Sequence, residues 1–454
     1  MFDSVFNRFI EKSPIPVMLN SVLERTLSTQ KINQYFEKAT DKQYTRNLLF
    51  SSIFELMGLV VFKVFPAVNT AYKEKKDNVG VSLTSVYNKL NGLETNTSRQ
   101  IVRETGLEHI EIIKDLKGSK KSLINGYRIK ILDGNCIKST EHRLDVLRET
   151  RAGALPGKSL VVFDLATELV VDVFPCEDAY SQERSLLNQV LPTIESKDVW
   201  VMDRNFCVRS FLLGIKKQKG FFIVREHSQL PYTELTELQK VGETETGDVY
   251  EQWITIIDED AKCHKLRRIV IELKKATRDK DKTIAIIVNL PKKDADAILI
   301  CNIYRKRWNI ETMFQELESH LHSEIDTLGY PKAALFGFCI ALIAYNTLSV
   351  LKAAIRSKYG EEIVTNDLSS YYLAGNIART YDGMMIAILT SQWDIVRKMS
   401  SKKYCKFLLN LTDKIDMEKY KKSKRGVKKP RPKREKHKGK NHVSTARLLA
   451  ERSI

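Results

Sequence analysis

Tyr304, Arg307, Glu311, Gln315, Glu318 and His322, read as one helix, fall within a narrow sector, while Ile310, Met313, Leu317 and Leu321 fall on the opposite side. Tyr, Arg and Glu in register on a polar helix face suggest a carboxylate metal ligand set among groups that contact phosphate. Two further acids stand where a metal would want them. Asp133 ends the alternating run Tyr127-Arg-Ile-Lys-Ile-Leu-Asp133, and Asp203 ends the apolar run Asp198-Val-Trp-Val-Met-Asp203. Either Asp alone would be explained by a turn or a cap. Three acids at two strand ends and on a helix that can pack across them point instead to metal-dependent phosphotransfer. Two hard cations about 3.5–4 Å apart activate an attacking oxygen and stabilise a leaving one in phosphodiester displacement. Mg²⁺ is the expected ion, with Mn²⁺ the alternative.

Composition names the same substrate class. The 454 residues hold 74 Lys and Arg against 56 Asp and Glu, a net charge of +18 and a pI near 9.4, which suits a protein that meets a polyanion. Lys419 to Lys440 alone contains thirteen Lys or Arg and one acid, so +12 of that charge sits in a segment with no means of forming a core. Lys421, Lys422, Arg425, Lys428 and Lys429 are its candidate DNA contacts. The seven cysteines are scattered, odd in number and never spaced CxxC, which argues against a disulfide framework or a zinc site. Met1-Phe2-Asp3 does not begin a signal peptide, and a cytoplasmic, nucleoid-associated protein is expected. Two apolar stretches, Asn47 to Val68 and Leu335 to Ile355, approach spanning length. Glu55, Lys63 and Pro66 interrupt the first and Asn346, Thr347, Ser349 and Lys352 the second, so both read as buried helices and no membrane partner is expected.

The elements that must position the acids follow from pattern. Residues 1–118 are helical, with Val17 to Leu27, Tyr44 to Phe65 and a pair from Thr84 to Glu104 that reads equally as a helix-turn-helix or as two packing helices. The 119–219 segment carries Asp133, a hairpin of Ser159 to Asp164 and Leu169 to Phe174 about Ala166-Thr167, a helix from Ser181 through Leu191, and the Asp203 strand. Strand-like runs Phe221 to Val224, Val249 to Ile257, Leu266 to Leu273 and Thr283 to Leu290 make 220–300 a β-rich insertion. The Glu311 helix lies in 301–360, helices continue over 361–418, and 419–454 is the basic tail.

Asp133-Gly134-Asn135, the Val201-Met-Asp203-Arg204-Asn205-Phe206 turn and Tyr304-x2-Arg307-x3-Glu311 resemble the DDE transposases of bacterial insertion sequences, specifically the large group with the Tyr-Arg-Glu-Lys signature, insertion sequence family four. The likeness extends to Tyr180-Ser-Gln-Glu183-Arg-Ser-Leu-Leu, to Leu328-Gly-Tyr-Pro-Lys, and to the basic tail leading to His442-Val-Ser-Thr-Ala-Arg447. It implies an α/β fold: a ribonuclease-H-like mixed sheet flanked by helices, with a β-strand insertion, a helical N-terminal DNA-binding domain and a basic C-terminal tail. It also implies that Asp133, Asp203 and Glu311 are the metal ligands and that Tyr304 and Arg307 contact DNA phosphates near the cut end. Glu318 stands where the signature has Lys. Either the helix turns away from DNA before Glu318, or a basic group such as Arg307 or His322 pairs with it. Trp253, in the insertion, is a candidate for stacking on an unpaired base, against the plainer role of a strand aromatic.

The expected function is a magnesium-dependent DNA transposase, acting as a homodimer on double-stranded DNA. It would bind the terminal inverted repeats of its own element, cleave at the ends and transfer the 3′-hydroxyls to target DNA. The rivals are a structure-specific nuclease on the same core and a non-catalytic DNA-binding regulator.

Overall fold

Val199 and Val201 face one side of a central sheet and Trp200 and Met202 the other, and both sides are covered, so the strand that ends at Asp203 is apolar at every position but its first. The computed structural model describes residues 2–41, 47–138, 155–277, 280–423 and 426. Its strands are β1 Arg128–Cys136, β2 Lys158–Asp164, β3 Leu169–Cys176, β4 Asp198–Met202, β5 Phe221–Arg225, β6 Thr233–Glu234, β7 Gln239–Thr244, β8 Gly247–Ile257, β9 Cys263–Leu273 and β10 Thr283–Val288. They form one sheet in the order β3-β2-β1-β4-β5-β10-β9-β8-β6, with β7 also paired to β8. β1, β4 and β5 are mutually parallel, and the remaining pairings are antiparallel. This is the expected ribonuclease-H-like mixed sheet.

β5 lies parallel to β4 and so belongs with the parallel centre of the sheet, although it falls just inside the segment read as an insertion. The insertion is also not a separate layer. β10 adds to β5 through Ile286↔Arg225 and its neighbours, so the later strands extend the same sheet.

The helices are α1 Ser4–Lys12, α2 Pro14–Thr26, α3 Thr29–Ala39, α4 Phe50–Val61, α5 Val68–Val79, α6 Leu83–Gly92, α7 Thr95–Asp115, α8 Leu187–Val190, α9 Arg209–Lys217, α10 Ala297–Arg305, α11 Trp308–His320, α12 Pro331–Tyr359, α13 Ser370–Ala387, α14 Thr390–Arg397 and α15 Ser401–Thr412. α12 is long and apolar enough to cross a membrane, yet its apolar window is wholly buried in the protein. Asn346 explains its place: the amide accepts from Val170 N at 2.7 Å and donates to Val170 O at 2.7 Å, pinning α12 to β3. A buried Asn with both ends satisfied fixes register where apolar contacts alone would allow sliding.

α6 and α7 occupy the place of the helix-turn-helix candidate, and one side of each is packed into the core. α7 buries Ile101, Val102, Thr105 and His109, and Arg99 forks onto Asp172 of β3 with two bonds of 2.9 Å. Its exposed residues are mixed, among them Asn96, Glu104, Leu107, Glu111 and Lys114. The helix expected from Ser181 through Leu191 is instead three short turns, a 3₁₀ turn at Glu183–Leu186, α8, and a 3₁₀ turn at Leu191–Thr193 that contains Pro192. The long helix expected from Tyr44 starts at Phe50 and ends at Val61, beyond which Lys63 takes a left-handed φ of 59°. Residues 44–46 of that expectation lie outside the described residues.

Candidate active site

Leu132 and Met202 are the last paired residues of parallel neighbours β1 and β4, so Asp133 and Asp203 follow one another's level at the same edge of the sheet. Asp133 is braced by its own strand: Gly134 N–H donates to its Oδ1 at 2.9 Å. Asp203 opens the 3₁₀ turn Arg204–Phe206, where the chain leaves the sheet, and its carboxylate has no hydrogen-bond or ion-pair partner among the described residues.

Glu311 reaches this edge from the helical layer. The single helix expected from Tyr304 to His322 is broken: α10 ends at Arg305, Lys306 and Arg307 form a turn, and α11 begins at Trp308. The break turns Arg307 inward. Its guanidinium donates from Nη1 to Asp133 Oδ2 at 2.9 Å and lies 2.8 Å from Glu311 Oε1 through Nη2, while its buried Nε–H has no partner among the described residues. Tyr304, the last buried residue of α10, stands beside Asp203 and Arg307. The apolar side of the helix is as expected, with Ile310, Met313, Leu317 and Leu321 buried.

The electrostatics are those of an anionic cluster short of positive charge. Burial pushes the Asp133 carboxyl up to about 6; Arg307 and the Gly134 N–H pull it down, and Glu311 and Asp203 add to the rise. The Tyr304 hydroxyl is pushed up to about 12, by burial first and then by Asp203. Arg307 is held charged by Asp133, Tyr304, Asp203 and Glu311 against the pull of burial. Among the described residues no three His, Cys, Asp or Glu side chains stand close enough together to hold a metal ion as they are placed. Arg307 lies between Asp133 and Glu311 in this arrangement. The donor set nevertheless fits a hard divalent cation, because it is all oxygen, one carboxylate is unpaired among the described residues, and one is held against its own ionisation by burial first and by its acidic neighbours after that.

Residues 124–347 match the family model described as Transposase DDE domain, a stretch that holds Asp133, Asp203 and Glu311. The match supports a DDE transposase. A protein of Sinorhizobium fredii named "Putative transposase y4zB" is 28% identical over 168 residues, covering 35% of this chain and 43% of that protein. The chain thus spans less than half the length of that relative.

Other expected residues lie away from these three acids. Glu318 pairs with Lys138, just beyond β1, and not with Arg307 or His322. Arg307 is occupied by two nearer acids, and His322 lies past the helix end at His320, where Leu321 is already extended. Trp253 is half-buried in β8, opposite Arg267 of β9, with the Lys265 ammonium 4.2 Å from its ring centroid. β8 is four strands from β4 in the sheet, about 19 Å at strand spacing. Lys421 pairs with Glu418, and Lys422 Nζ donates to Thr365 O at 2.6 Å. Arg425, Lys428 and Lys429 lie outside the described residues.

Sequence reasoning gave no role to Glu183, Asn205 or Gly134. Asn205 Nδ2 donates to Glu183 Oε2 at 2.6 Å, and Arg184 Nε donates to Asn205 O at 2.8 Å. Their signal was membership of the stretches that carry the family resemblance, with Gly134 next to Asp133 and Asn205 two positions past Asp203.

Proposed function

We propose that this chain is the transposase of a bacterial insertion sequence, in the Tyr-Arg-Glu-Lys signature group, that binds the element's terminal inverted repeats, cuts at the ends and joins the 3′-hydroxyls to target DNA. The observation that carries the reading is the placement of Asp133 and Asp203 at adjacent ends of parallel strands, with Glu311 tied to Asp133 through Arg307. Asp133, Asp203 and Glu311 would hold Mg²⁺, or Mn²⁺ in its place. Bound there, the ions would supply Lewis-acid activation of the attacking oxygen and stabilisation of the leaving one, with no covalent enzyme intermediate.

The chain's own part is positional. Arg307 and a divalent cation compete for the same two carboxylates. An Arg307 released from Asp133 and Glu311 becomes a fork of free donors beside the acids, shaped for a phosphate diester. Its unpartnered Nε–H already adds to that fork. Tyr304, kept protonated by its surroundings, is a hydroxyl donor on the same side. The basic tail supplies affinity for any phosphate backbone without reading sequence. Pairing of two element ends calls for a homodimer on DNA, in the cytoplasm and at the nucleoid.

The test is an end-cleavage and joining assay with labelled inverted-repeat DNA, a target duplex and Mg²⁺. The proposal predicts cleavage at the element end and a joined product. Cleavage without a joined product would mark a nuclease, and binding without cleavage a regulator.

A further inference from the structure

Gly134 follows Asp133 in β1, and its backbone is not in the left-handed region, so glycine is not needed there for conformation. Space is the reason. A Cβ at position 134 would fall 2.1 Å from Glu183 Oε1 and 2.6 Å from Glu183 Cδ. The Glu183 carboxylate therefore lies directly on the backbone that follows Asp133. Its other oxygen, Oε2, accepts from Asn205 Nδ2 at 2.6 Å, on the turn that follows Asp203. Asn205 is held in turn, because Arg184 Nε donates to its backbone O at 2.8 Å and to its Oδ1 at 3.2 Å. One carboxylate thus spans two chain segments that are adjacent only at the ends of β1 and β4.

We infer that Glu183 is a positioning residue of the acid site: it is a strut between Gly134 and Asn205 that sets the separation of Asp133 and Asp203. The inference rests on the reading of those acids as metal ligands. The parallel pairing of β1 with β4 stops at Leu132↔Met202, so no ladder hydrogen bond holds the two Asp residues at a fixed distance. Glu183 supplies that constraint from outside the sheet. An ionised Glu offers acceptors on both oxygens, whereas Gln at the same place offers one oxygen and turns a donor toward Gly134 or Asn205. Ala removes both contacts.

The experiment uses the full chain in two steps. First, in EDTA, thermal melting is measured for Gly134→Ala, Glu183→Ala and the double variant. Gly134→Ala is expected to lower the melting temperature in the parent background and to have little effect once Glu183 is Ala, because the clash partner is gone. Equal shifts in the two backgrounds would overturn the contact. Second, Mn²⁺ binding is followed by titration calorimetry for the parent, Glu183→Ala and Glu183→Gln, with far-ultraviolet circular dichroism as the check on folding. Glu183→Ala is expected to weaken Mn²⁺ binding by about 10–100-fold, the usual effect of losing a group that orients a metal ligand. Glu183→Gln is expected to fall between Ala and the parent and serves alone if Ala does not fold. Parental Mn²⁺ affinity in both variants would overturn the positioning role. A parent that binds no Mn²⁺ would instead remove the metal-site reading itself, and this inference with it, whatever the melting data show.

Discussion

Arg267 and Arg307 are both buried against carboxylates, yet they build opposite environments. Arg267, on β9, donates to Glu251 Oε1 at 2.7 Å and to the carbonyls of Leu290 and Ala295 at 3.1 and 2.7 Å, while Lys292 takes the other Glu251 oxygen at 2.7 Å. Two cations serve one acid. Burial alone would raise the Glu251 carboxyl, but the bonds from Lys292 and Arg267 outweigh it and hold it below its ordinary value. At the other cluster one cation serves Asp133 and Glu311, Asp203 has no ion-pair or hydrogen-bond partner among the described residues, and Asp133 is raised to about 6. The exposures agree: Arg267 and Glu251 are 1% and 5% exposed, against 10%, 20% and 33% for Arg307, Asp133 and Glu311. A closed pair with surplus donors is structural. An open cluster with surplus acid has a place for a cation the chain does not itself provide.

Breaking the closed pair should give the largest stability effect. Arg267→Met leaves the buried Glu251 with Lys292 but without the guanidinium that satisfies its other oxygen, and is expected to destabilise the protein by about 3 kcal/mol in urea melts, with the partner change Glu251→Leu restoring much of the loss. At the open cluster the corresponding change acts on function. Arg307→Gln removes the competing cation, so it should tighten Mn²⁺ binding by calorimetry while lowering single-turnover end cleavage by about a hundredfold, the scale of losing one preorganised donor.

A smaller effect concerns pH. Asp133 has a folded value near 6 against an ordinary 3.8, so the folded chain binds that proton more tightly than the unfolded one. The stability this contributes is fully present below the ordinary value and is lost as pH rises through about 6. Metal-free Asp133→Asn should lack this loss. Its advantage over the parent should grow by roughly 2–3 kcal/mol between pH 4 and pH 7.5 in EDTA. Smallest is the Glu318–Lys138 pair, which is more than half exposed on both sides. Glu318→Lys should change stability by less than about 1 kcal/mol and leave end cleavage near the parental rate.

The strand ends were legible because apolar alternation stops at Asp133 and an apolar run stops at Asp203, and period-two patterns report a sheet's faces directly. α12 was legible as a core helix from Asn346, whose amide proves to be bonded to β3 at both ends. The break at Lys306–Arg307 was not, since no Pro or Gly marks it and the residues on either side continue a helical pattern. It arises from tertiary demand: Arg307 turns inward to reach Asp133, a partner 174 residues away in sequence. Separation in sequence likewise hid Lys138 as the partner of Glu318, 180 residues away, and Glu183 as the reason for Gly134. The insertion's strands were readable from local pattern, but their continuation of the central sheet depends on β10 pairing with β5, which no local pattern encodes.

The most direct test uses the acid with no partner. Because Asp203 makes no ion pair or side-chain hydrogen bond among the described residues, Asp203→Ala should leave the metal-free fold intact. The measurement is single-turnover, Mg²⁺-dependent cleavage of inverted-repeat end DNA, with the melting temperature in EDTA recorded on the same sample. The account predicts an unchanged melting temperature and a fall in cleavage of about a thousandfold or more, the several kcal/mol that lost metal catalysis represents. Cleavage at the parental rate by a folded Asp203→Ala protein would contradict it.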